Sequence, residues 1–123
     1  MVGLGLLKMN HELQIMVKRP TRTFLDLDYN ELRSLSFAEL AVAKLYAALG
    51  INSYNEVVIC QRFDARANSS FRVITSFVTR EIDLAVSELN LLYVTDKHPY
   101  DTVLEVNSHW DQVVRDNGLP FKR

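Results

Sequence analysis

Asp101, Glu105 and His109 stand four residues apart, the spacing that lines side chains along one face of a helix, with His98 just upstream. Carboxylates and an imidazole in such a row could ligate a divalent transition metal. A helical-bundle metal centre, however, draws Glu-x-x-His from two helices plus further Glu, and no second such motif occurs. The row also lies off the apolar stripe Val103, Val106, Trp110, Val113 and Val114, so a solvated helix face is the favoured reading and no metal is expected. Cys60 with His98 or His109 would supply a nucleophile and a base, but no third group or elbow motif orients them. Set among Val57, Val58 and Ile59, Cys60 reads as a small buried core residue. No G-x-x-x-x-G-K, no G-x-G-x-x-G and no paired-cysteine spacing is present, and four glycines leave little material for a phosphate-cradling loop. No cofactor is expected, and enzyme activity is disfavoured.

Charge offers a second chemistry. Residues 1–80 hold ten Lys and Arg against seven Asp and Glu, net +3, whereas residues 81–123 hold four against eight, net −4. Lys18, Arg19 and Arg22, extended by Arg62, Arg66, Arg72 and Arg80, would form a basic surface for phosphates, with Phe63 and Phe71 as stacking partners. The competing reading is that such residues merely solvate turns and loops. The overall charge is −1, so nucleic-acid binding has no global field behind it and would depend on this local patch. Opposite ends of a polarised chain also suit head-to-tail association.

Apolar surface offers a third. Phe71, Ile74, Val78, Ile82, Ala85, Leu89 and Leu92 follow a helical seam, and Val73, Phe77, Leu84 and Leu91 make a second row beside it. One small domain hides both rows with difficulty, which suggests burial against another chain. Phe77, Leu84, Leu91, Leu92 and Tyr93 are the expected interface residues.

These residues must be held by a scaffold, and composition bounds it. A chain of 123 residues, 48% hydrophobic and 24% charged, is the size of one ordinary domain. Such a domain buries roughly two thirds of the surface its unfolded chain exposes. The single cysteine rules out an intramolecular disulfide and favours an intracellular, cytoplasmic setting. The apolar start MVGLGLLK lacks the basic and apolar regions of a signal peptide, and no run reaches the roughly 18 apolar residues of a spanning helix. Residues 1–8 are expected to be an extension with little structural meaning, and residues 9–123 a single globular domain.

Alternation in HELQIMVK, with Leu13, Ile15 and Val17 on one face, predicts a strand. TFLDLD repeats the pattern, so an N-terminal hairpin through KRPTR is expected. Asp28 with Glu31, and Ser36 with Glu39, have capping-box spacing, and the second box is expected to begin a central helix that ends at Gly50. Near the other end, Asp101 or Thr102 with Glu105 is expected to start a helix closed by Asn117-Gly118. The middle is ambiguous. EVVICQRF and FRVITSFV are rich in β-branched and aromatic residues around the polar connector DARANSS, which favours a strand near 55–63, a strand or early helix turn over 71–78, and then a helix from about Thr79 to Leu92. The alternative is a mainly α chain with one long helix over 70–94. The favoured fold is α+β: a hairpin, a central helix, a second hairpin and two C-terminal helices.

LGINSYNEVVICQRF also invites reading as a helix-turn-helix about Gly50. The motif wants a small residue four positions before the glycine and an apolar residue about six after it. Tyr46 and Glu56 stand there, so a helix cap running into a core strand is preferred. The functional expectation is a non-catalytic interaction or assembly protein that binds itself or another protein, with no membrane partner. A nucleic-acid-binding regulator using Lys18, Arg19, Arg22, Arg62 and Arg66 is the alternative.

Overall fold

The computed structural model describes residues 2–3, 11–62, 64, 70–80 and 98–121. Its first helix, α1, spans Tyr29–Ala48 and starts at the earlier of the two candidate boxes. The Asp28 carboxylate accepts from the Glu31 N–H at 2.9 Å, and the Glu31 carboxylate accepts from the Asp28 N–H at 2.9 Å. Two N–H groups that the helix cannot satisfy internally are thereby paired. Ser36, expected as the cap, lies inside the helix, where its hydroxyl donates back to the Leu32 carbonyl. At the other end Gly50 takes φ 75°, and the Ile51 N–H reaches back to the Tyr46 carbonyl at 2.8 Å. That closure needs a residue tolerant of the left-handed region, which glycine supplies.

TFLDLD does not form a strand. Phe24–Asp26 is a single 3-10 turn, capped by the Thr23 hydroxyl accepting from the Leu25 N–H, while the Asp26 carboxylate accepts from the N–H groups of Arg22 and Thr23. Short polar side chains have captured the backbone groups a hairpin would have used. The expected N-terminal hairpin is therefore corrected.

Strand β2, Leu13–Met16, pairs with β4, Ile74–Thr79, instead. The sheet is antiparallel with order β1-β2-β4-β3, where β1 is the two-residue edge Val2–Gly3 and β3 is Tyr54–Ile59. The second hairpin forms as expected, with uninterrupted register from Tyr54 opposite Thr79 to Ile59 opposite Ile74. A helix running through 70–94 is excluded over 74–79, because β-branched and aromatic side chains pack there on a pleated surface. So is the helix-turn-helix, since the residues after Gly50 lead into a strand. The expected helix from Thr79 begins on a strand residue, Arg80 after it is not helical, and residues 81–92 lie outside the described residues.

Helix α2 spans Pro99–Asp116 and begins earlier than Asp101, with Pro99 in its first turn and His98 as cap, whose Nδ1 accepts from the Tyr100 N–H. Proline suits that position because its missing N–H would be unpaired anyway. Beyond Gly118, at φ 60°, the chain folds back so that Phe121 meets Trp110 with ring centroids 5.8 Å apart. The core joins Leu13, Ile15 and Phe77 of the sheet to Val42, Leu45 and Tyr46 of α1 and to Val113 of α2. This is a small α+β domain, with two helices over an antiparallel sheet among the described residues.

Candidate functional site

Residues opposite one another in a sheet share a face, so the pairings assign both faces. Leu13, Ile15, Thr75, Phe77 and Thr79 are buried on the helix side, and in β3 Tyr54, Glu56 and Val58 share their face. Gln14, Met16, Ile74, Ser76, Val78, Asn55, Val57 and Ile59 occupy the other side. Part of that second face is closed: Glu12 and Ser76 are buried, and the Ser76 hydroxyl donates to the Glu12 carboxylate.

The corner formed by Met16 and β3 is exposed. All six residues of β3 are exposed, with Val57 at 49%, Val58 at 41% and Ile59 at 43%. Among the described residues no strand pairs with the outer edge of β3. The phase of that edge is fixed by the Arg80 N–H donating to the Ser53 carbonyl at 2.9 Å. Bonding alternates along an antiparallel pair, so Ser53, Asn55, Val57 and Ile59 face β4, while the N–H and C=O groups of Tyr54, Glu56 and Val58 point outward. Cys60, expected in the core, is exposed just past the strand, because β3 is an edge and not a central strand.

Phe77, expected at an interface, lies in the core at 1% exposure, 6.4 Å from the Tyr46 ring and 6.2 Å from the Tyr54 ring. The strand's pleat turns it toward α1. Leu84, Leu91, Leu92 and Tyr93 lie outside the described residues. The helical-seam reasoning that selected them missed Val57, Val58 and Ile59. Their signal was the unbroken apolar run VVIC, which marks a strand apolar on both faces.

Three of the described basic residues stand beside carboxylates. Arg19 holds Glu31 with two bonds of 2.8 and 2.7 Å, Arg22 lies 4.0 Å from Asp26, and Arg62 holds Asp64 at 2.9 Å. Glu31 is correspondingly held at about 2, first by the hydrogen bond from Arg19 and then by the Asp28 N–H. Lys18 is exposed, and Arg66 lies outside the described residues.

The row on α2 is also put to other use. Glu105 meets His11 at 2.7 Å, and His11 is buried at 4% exposure with φ 55°. The Tyr46 hydroxyl donates to the His11 carbonyl at 2.7 Å. Three elements are tied together there, α1 and α2 against the chain entering β2. His109 Nδ1 lies 3.0 Å from the Glu105 carbonyl within its own helix. Asp101 is exposed, and among the described residues no three His, Cys, Asp or Glu side chains gather for a metal. An apolar cavity of about 270 Å³ lies between α1, α2 and β2, lined by Leu13, Val42, Leu45, Val103, Val106 and Trp110, with Asn107 as its polar group.

Among the described residues no helix is long and apolar enough to cross a membrane. No protein-family model matches the chain, and no curated protein is significantly similar to it in sequence. The geometry of the molecule alone therefore carries the functional reading.

Proposed function

We propose that this is a non-catalytic interaction or assembly protein, that its docking surface is the exposed corner of Met16 and β3, and that it associates with itself. The observation that carries the reading is a strand exposed along its whole length, three of whose residues are aliphatic and 41% exposed or more. Edge strands of monomeric proteins are ordinarily blunted by charged residues, Pro or a bulge. β3 has no Lys or Pro, its single charge is Glu56 on the helix side, and its register with β4 is uninterrupted. Contiguous apolar surface combined with unpaired backbone groups is what a protein partner covers. A single cysteine supports an intracellular setting. The nucleic-acid reading is less well supported, since Arg19, Arg22 and Arg62 each stand beside a carboxylate.

Light scattering behind size exclusion tests this, at low and high salt, on the full chain and on Val57→Lys. An oligomer that persists in high salt and dissociates in Val57→Lys is expected, because apolar burial is not screened by ions. A monomer at all concentrations, or an oligomer indifferent to Val57→Lys, would defeat the proposal.

A further inference from the structure

Resting on the reading of β3 as a docking edge, we infer that its occupant is the β3 strand of a second copy, antiparallel, with the two-fold axis at Val58.

The outward backbone groups belong to Tyr54, Glu56 and Val58, the phase set by the Ser53 to Arg80 bond. A symmetric antiparallel pair that bonds through these groups has a small set of registers. Centred on Val58, the strand places Val58 opposite Val58 and Val57 opposite Ile59, and it sets Glu56 and Asn55 opposite Cys60 and Gln61, which follow the strand of the second copy. Aliphatic residues meet aliphatic residues, and amide meets amide. Centred on Val57, it sets Glu56 against Val58 and Asn55 against Ile59, so a carboxylate and an amide each face a hydrocarbon. Centred on Ile59, it sets Val57 against Gln61.

Charge agrees with the Val58 centre. Glu56 is the strand's one charged residue, and it faces the helix layer, where it hydrogen-bonds Glu39. In this register the two copies of Glu56 stand about four residues, or roughly 13 Å, apart along the strands. That exceeds a Debye length of about 8 Å at physiological salt.

The faces agree as well. Opposed residues share a face, so the row Met16, Ile74, Ile59 of one copy continues into Val57 of the other. The exposed corners then merge into one apolar block at the centre of a continuous sheet. Closure by two-fold symmetry consumes the β3 edge of both copies and leaves only the two-residue edge β1 at each end of the joined sheet.

Cysteine crosslinking on the full chain reads the register, with Cys60→Ser in every sample. Val57 and Ile59 would face each other as a non-hydrogen-bonded pair, with Cα atoms about 4.5 Å apart and within disulfide range. Differently tagged Val57→Cys and Ile59→Cys chains, mixed and oxidised, should give a covalent heterodimer as the main product, and neither chain alone should crosslink. Val57→Cys crosslinking to itself would move the axis to Val57, and Ile59→Cys crosslinking to itself would move it to Ile59; either overturns the inference. An oligomer that Val57→Lys dissociates but that no cysteine combination traps would also overturn it, while leaving the docking surface in place. A monomer throughout would remove both.

Discussion

Strands β2 and β3 flank the same strand, β4, and neither is richer than the other in hydrocarbon by any large margin: one reads LQIM, the other YNEVVI. Their fates differ completely. Leu13 and Ile15 of β2 are buried against α1, whereas every residue of β3 is exposed. On the helix side, the cause is what lies over each strand. α1 reaches β2 with Val42, Leu45 and Tyr46, whereas over β3 it sets the Tyr46 ring 5.1 Å from Tyr54 and brings the Glu39 carboxyl beside Glu56. A paired carboxyl cannot seal an edge as leucine does. Apolar content makes a strand able to be buried, and only a covering element makes it so.

The largest way to sharpen this contrast is at Phe77, the side chain on β4 that the covered side of the sheet depends on. Phe77→Ala removes a ring at 1% exposure that packs against Tyr46 and Tyr54, and it should cost about 3–5 kcal/mol. Urea unfolding measures it, and a loss below about 1 kcal/mol would mean that the helix layer is not the core. Next comes the tie between α2 and β2. Glu105→Ala takes the carboxylate from buried His11 and should cost about 1–3 kcal/mol, and Tyr46→Phe, which removes the donor to the His11 carbonyl, about 1 kcal/mol.

Much of this contrast was legible in the chain, and the failures have identifiable causes. The central and C-terminal helices were legible from period and caps, but the first began at Asp28 and not at Ser36, because a box works only where both reciprocal bonds close. TFLDLD has a strand's alternation, yet Thr23 and Asp26 are themselves a capping pair, and local side-chain bonding won. The partner of β2 was unreadable, since β4 lies far along the sequence and pairing across such a distance leaves no local mark. Phe77 was assigned to an interface by a helical period that a strand does not have. VVIC was visible as a run apolar on both faces, but the sequence does not say whether neighbours supply both covers.

At the exposed strand the effect on the folded chain should be small and the effect on association large. Val57→Lys replaces a side chain that is 49% exposed, so unfolding of the dilute chain should shift by about 0.5 kcal/mol or less. The same change at Leu13, 2% exposed, would bury an unpaired ammonium and should abolish folding. Equal losses at the two positions, measured by urea unfolding, would erase the difference between the strands.

The smallest effect lies at the boundary between covered and uncovered sheet. Burial holds the Glu39 carboxyl above its ordinary 4.5, with repulsion from Glu56 and their shared hydrogen bond acting in the same direction. Below about pH 4 the side chain is protonated whether the chain is folded or not, and it contributes no pH-dependent penalty. As pH rises past 4.5 the unfolded chain releases its proton more readily than the folded chain does, so stability falls until the folded carboxyl also ionises. Glu39→Gln keeps a hydrogen-bonding group and removes the titration. It should therefore leave the urea midpoint nearly unchanged at about pH 4 and raise stability at about pH 7, by less than about 1 kcal/mol for a group this accessible. A gain equal at both pH values would assign it to helix propensity or packing instead. Glu39→Leu goes one step further, since it removes the carboxyl pair from the helix side of β3. Met16, Val57 and Ile59 lie on the other face, so that variant should be more stable as a monomer by urea unfolding while light scattering shows its association unchanged.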